Sequence, residues 1–136
     1  MTQRDTNVQL MMDWLNREGY RPSIDKDGDI VFKREGKTFL ILFEEADELF
    51  MRLVFPNFWS IDTETERMQI AQASTLATAN TKVAKVFPVG DNVWASIELF
   101  CSNISQFQAV FERSLSALAA SVERFIREMR QQMPQA

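Results

Sequence analysis

Histidine is absent from this chain of 136 residues, cysteine occurs once, and glycine and proline occur four times each. Without His there is no side chain whose ordinary titration falls near neutrality, no Cys/His cluster for zinc or haem, and no partner to activate Cys101 as a nucleophile. A lone Cys excludes an intramolecular disulfide and agrees with a reducing compartment, so Cys101 reads as a small buried apolar residue. The scattered Gly leave no Gly-rich phosphate loop. Basic charge is also short: 15 Lys and Arg stand against 19 Asp and Glu, a net −4. That balance argues against nucleic acid, because there is no cationic surplus to displace phosphate counterions. No apolar run approaches the roughly 18 residues of a membrane span. The opening Met1-Thr2-Gln3-Arg4-Asp5 is polar and lacks an apolar signal core. These absences predict a cytoplasmic protein with no nucleic-acid partner, no membrane association, no cofactor, no metal and no catalytic residues.

What is present is apolar mass. The apolar fraction is 46% with 11 Phe. A chain of this length forms one domain, spanning 1–136 with its ordered core at about 7–131, and buries about two-thirds of its unfolded surface. Thr6 or Asn7 is a candidate cap for a first helix ending at Gly19, with Val8, Met11, Met12 and Leu15 on one stripe. Short strands follow at about 20–24 and 29–34, separated by the turn Asp25-Lys26-Asp27-Gly28, and Glu35-Gly36 turns the chain into 37–45. There Phe39-Leu40-Ile41-Leu42-Phe43 is apolar without interruption, which predicts a strand covered on both faces. The next strand, about 49–55, has one wholly apolar face (Leu49, Met51, Leu53, Phe55) and one mixed face (Phe50, Arg52, Val54). It is followed by Pro56-Asn57 and two large aromatics, Phe58 and Trp59.

Thr63-Glu64-Thr65-Glu66 has the spacing of a capping box and opens a helix to about Asn80. A second hairpin, 82–89 and 93–100, turns at Gly90-Asp91-Asn92. In its second strand Val93, Ala95, Ile97 and Leu99 face one way, and Trp94, Ser96, Glu98 and Phe100 the other. A helix of roughly 40 Å closes the chain. Its residues Phe111, Leu115, Leu118, Val122, Phe125 and Met129 recur at alternating steps of four and three, and the tail after Gln132 is expected to fray. The order is α-β-β-β-β-α-β-β-α. It predicts an α+β fold with a mainly antiparallel sheet of about five to six strands packed with three helices.

Two acidic clusters are the nearest approach to chemistry. Asp25-Lys26-Asp27-Gly28-Asp29 departs from a calcium loop, since its sixth position is Ile30 and its twelfth Gly36. Glu44, Glu45, Asp47 and Glu48 read as a solvated turn. The surplus apolar surface is the stronger signal. Leu40, Leu42, Phe50, Arg52 and Val54, with Val31, form a second strand face that either lies under the long helix or meets a partner. Phe58 and Trp59 either plug the core or join that surface.

Phe58-Trp59-Ser60-Ile61-Asp62, Glu66-Arg67, Asn80, Lys82-Val83-Ala84-Lys85-Val86 and Val93-Trp94-Ala95-Ser96-Ile97-Glu98-Leu99-Phe100, in this succession, resemble the YbjN family. The resemblance covers nearly the whole chain. It implies a fold like the class I type III secretion chaperones and a small acidic protein, often a homodimer, without known catalysis. Members carry the description of sensory transduction regulators, and the secretion chaperones of similar fold present apolar grooves to a client segment. The resulting expectation is a non-enzymatic protein-binding module that shields an apolar segment of a partner through Leu40, Leu42, Phe50, Arg52, Val54, Phe58 and Trp59. The alternative is a regulatory domain that senses a small ligand.

Overall fold

The computed structural model describes residues 1–133. The elements are α1 (Gln3–Arg17), β1 (Ser23–Ile24), β2 (Ile30–Arg34), β3 (Lys37–Phe43), β4 (Phe50–Ser60), α2 (Glu64–Asn80), β5 (Lys85–Val89), β6 (Asn92–Phe100) and α3 (Ile104–Gln132). This is the α+β order expected. The six strands form one antiparallel sheet in the order β1-β2-β3-β4-β6-β5. Local chemistry sets the turns. Glu35 and Gly36 both adopt positive φ between the paired residues Arg34 and Lys37, as a two-residue hairpin matched to strand twist requires.

Helix starts differ in detail from expectation. The first helix is capped by Thr2, whose hydroxyl accepts from the Asp5 amide while the Asp5 carboxylate accepts from the Thr2 amide. Thr6 and Asn7 lie inside the helix, and Asn7 is buried with its amide donating to the Glu48 carbonyl. At α2 the Thr63 hydroxyl accepts from the Glu66 amide as expected. The Glu66 carboxylate, however, accepts from the Asp62 amide one residue further back. Before α3, Asn103 is the cap. Beyond Met133 the tail expected to fray falls outside the described residues.

All three helices lie on one face of the sheet. The covered face contributes Ile30, Phe32, Ile41, Met51, Leu53, Val93, Ala95 and Ile97 to a single core, completed by Met11 and Leu15 of α1, Ala73 and Ala77 of α2, and the whole stripe Phe111, Leu115, Leu118, Val122, Phe125 and Met129 of α3. Aromatic rings tie the helices to the sheet, with Phe111 tilted on Phe32 at 5.5 Å and edge-on to Trp14 at 5.3 Å. The expectation that β3 is covered on both faces is corrected here. Phe39, Ile41 and Phe43 are buried, whereas Leu40 and Leu42 are only half-buried because no helix crosses their side. Leu49 is likewise not in the core but exposed in the turn before β4.

Candidate functional site

The uncovered face follows from strand alternation. In β4, Met51 and Leu53 point to the helices, so Phe50, Arg52 and Val54 point away from them. Register places Leu40 opposite Val54 and Leu42 opposite Arg52 on β3, and Ser96, Glu98 and Phe100 opposite Val54, Arg52 and Phe50 on β6. Five of the seven residues expected to bind a partner, Leu40, Leu42, Phe50, Arg52 and Val54, therefore form one contiguous patch. Burial of that patch under the long helix, the simpler expectation, is not what the chain does.

Phe58 and Trp59 are elsewhere. Asn57 takes a positive φ of 54°, and the β4 pairing with β6 shifts register between Phe55 and Trp59. This bulge re-aims the strand. Phe58 stacks on Phe55 at 5.6 Å, and both Phe58 and Trp59 meet Phe125 edge-on at 5.3 and 5.5 Å. The two aromatics plug the helix-covered side. Asn57 is freed for the opposite side, where its Oδ1 accepts from Trp94 Nε1 at 2.9 Å.

The patch has an uneven texture. Val54 is 1% exposed with no helix above it, sheltered by its neighbours on the twisted sheet. Arg52 extends across the centre with its guanidinium 3.9 Å from the Glu44 carboxylate and 6.0 Å from the Phe50 ring centroid. Its Nε is buried and makes no hydrogen bond among the described residues. A buried donor without a partner is rare in native proteins. Glu98 beside it pairs with Lys85. At the end of the face Phe100 is 81% exposed, its ring 5.6 Å from that of Phe50, next to the exposed Leu49. Phe100 and Trp94 were legible as surface of this face from the alternation of β6, yet nothing in the sequence set them apart as contacts.

A second concave region lies on the helix side. A half-open groove of about 620 Å³ runs between the end of α2, the middle of α3 and the end of β6. Ile97, Leu99, Val110 and Ala117 make its apolar wall, and Lys82 and Arg113 are its charged residues. It is not legible from the sequence, because its walls are far apart in the chain.

The acidic turn is satisfied by its own backbone. Asp25 Oδ1 accepts from the amides of Asp27 and Asp29, and Arg4 bonds to Asp29 at 3.2 Å and to the Gly28 carbonyl. Burial and the neighbouring Asp25 charge raise the Asp29 carboxyl above its ordinary value, opposed by Arg4. The carboxylates of Asp25, Asp27 and Asp29 lie within 4.8 Å of one another. Cys101 is buried as expected, and burial pushes its thiol up. Among the described residues no helix is long and apolar enough to cross a membrane. No protein-family model matches the chain, and no curated protein matches it either.

Proposed function

We propose that this protein is a non-enzymatic binding module that shields an apolar segment of a protein partner on the uncovered face of its sheet. The observation that carries this reading is the placement of all three helices on one face, with Leu40, Leu42, Phe50, Val54 and Phe100 on the other. A stable interface needs about 800 Å² from each partner, roughly the scale of a sheet face. Aromatics and an Arg at its centre match the composition of interface hot spots. The resemblance to the YbjN family and to the fold of the secretion chaperones supports the same reading, with the chain acting as a homodimer in the cytoplasm.

The test is capture of partners on the tagged chain from its native lysate, identified by mass spectrometry. A Phe50→Ala/Arg52→Ala double variant is expected to melt within a few degrees of the parent and to lose the captured protein. A folded double variant that still captures the same protein would overturn the assignment of the face. Recovery of the chain with no partner at all would favour the second reading, a small-ligand regulator. That reading rests on the groove of about 620 Å³, a size suited to a small molecule. It predicts a melting temperature that rises with ligand concentration, since a ligand that binds only the native state stabilises it.

A further inference from the structure

The end of β6 is a free sheet edge. Its partner β5 begins at Lys85 and pairs only with Asn92–Ser96, so Ile97–Phe100 have β4 on one side and, among the described residues, no strand on the other. The Cys101 amide donates to the Leu49 carbonyl and the Asp91 carbonyl accepts from the Ile61 amide, so odd-numbered residues of β6 direct their backbone polar groups towards β4. Alternation then aims the N–H and C=O of Glu98 and Phe100 at the open side. Among the described residues neither residue's backbone has a partner there. The neighbouring edge is handled differently. Thr78 of α2 closes the outer edge of β5, its hydroxyl accepting from the Val86 amide at 2.9 Å.

A strained turn keeps the β6 edge open. Val83 has φ +68°, a conformation that is a genuine outlier for a β-branched residue. The Ala84 amide bonds to the Lys82 carbonyl at 2.7 Å, closing a three-residue γ-turn of the rare positive-φ hand. This turn carries residues 81–83 away from the line of β5. The chain that would have paired with Ile97–Phe100 instead forms the far wall of the groove. Strain of this kind persists only where surrounding structure enforces it, and it concentrates at functional sites.

We infer that the free edge of β6 and the adjoining groove form a strand-addition site for an extended segment of a partner protein. The backbone groups of Glu98 and Phe100 select an extended chain, because only another strand presents donors and acceptors at their spacing. Side chains of an added strand alternate. Those on the helix side enter the groove against Ile97, Leu99, Val110 and Ala117, and those on the other side meet Phe100. The charge of the groove sets the rest of the preference. Lys82 and Arg113 line it, neither has an ion pair among the described residues, and no Asp or Glu lines it, in a chain whose net charge is −4. The carbonyl end of α2 nearby is occupied by its own side chains, with Asn80 Nδ2 and Thr81 Oγ1 donating to Leu76 and Ala77. The occupant is a segment with an apolar and an acidic side chain two positions apart on its groove-facing side. This site shares only the Glu98 and Phe100 corner with the uncovered face, and it rests on backbone groups and the groove, which the reading of that face does not use.

A phage-displayed library of random linear peptides, selected on the full chain, supplies the probe. The selected peptides should lack proline, carry Asp or Glu two positions from an aliphatic residue, and slow hydrogen exchange at the Glu98 and Phe100 amides at least about tenfold. Phe100→Pro removes an amide that points away from β4 and should weaken binding at least about tenfold, while Phe100→Ala, which keeps the amide, weakens it less. N-methylation of the peptide amides tests the same bonds without touching the protein. Lys82→Glu/Arg113→Glu should shift selection from acidic to basic peptides. Peptides that bind without protecting Glu98 and Phe100, or that tolerate N-methylation at every amide, would overturn the inference. So would a dimer of the parent chain that Phe100→Pro converts to monomer, since the edge would then belong to a second copy. Failure to select any peptide would overturn it as well.

Discussion

At the scale of single residues, the same amino acid has opposite roles on the two faces of one sheet. Phe58 and Phe100 are both large aromatics near strand ends. Phe58 packs between Phe55 and Phe125, whereas Phe100 touches Phe50 and is otherwise in solvent. Phe58→Ala is expected to cost about 2–3 kcal/mol in chemical denaturation, near the low end for a core aromatic because Phe58 is only half-buried. Phe100→Ala is expected to change stability by about 0.5 kcal/mol or less. A large loss at Phe100 would mean that the uncovered face is not surface in solution. Tyr20 supplies a pH signature. Burial, reinforced by its 2.7 Å hydrogen bond to Glu112, raises its phenol from 10.0 to about 12. The fold favours the neutral phenol, so its contribution is complete below pH 10 and is lost as pH rises towards 12, where the unfolded chain has already ionised. The melting temperature should therefore fall across that interval, and Tyr20→Phe should flatten the fall. An unchanged slope in the variant would assign it to other groups.

At the scale of elements, two irregularities decide where surfaces form. The bulge at Asn57 turns Phe58 and Trp59 inward, and the γ-turn at Val83 delays the start of β5 to Lys85. Neither is legible beforehand. Pro56-Asn57 reads as a strand end, since proline cannot donate to a ladder and Asn tolerates positive φ, yet β4 continues through them to Ser60. Val83 gives no warning, because β-branched residues favour strands and 82–89 was accordingly expected to be strand from its first residue. Only β5 from Lys85 onwards pairs. Val83→Gly should relieve the left-handed strain and raise stability by about 1 kcal/mol, net of the entropy that glycine adds to the unfolded chain. Loss of stability in this variant would show that the Val83 side chain, 61% exposed, contributes more by contact than its conformation costs.

At the scale of the whole molecule, the fold is a two-layer structure with its helices on one side. A sheet with one wet face normally alternates apolar and polar residues, and here the wet face keeps Leu40, Leu42, Phe50, Val54, Trp94 and Phe100. That excess is the molecular-scale reason to expect a partner. The Phe50→Ala/Arg52→Ala variant belongs to this scale. Because it removes nothing from the helix-covered core, its denaturant slope should equal that of the parent, with a change in partner capture alone. The free edge of β6 and the uncovered face meet at Phe100, so one partner chain has two routes onto the same corner of the molecule.

The sequence by itself determined the order of the elements, the stripe of α3, the alternation of β6 and the cap at Thr63, because each depends on periodicity or chemistry within a few residues. It also placed Leu40, Leu42, Phe50, Arg52 and Val54 together on one face, since strand alternation fixes parity. What it left open was which face the helices would cover. That depends on how α1, α2 and α3 return to the sheet, a choice made by long-range packing of Phe111 and Phe125 against Phe32, Phe58 and Trp59. The tertiary structure likewise decided that β5 begins only at Lys85 and that residues 81–83 stand off from β6. A groove whose walls come from three elements exists only once those elements have packed.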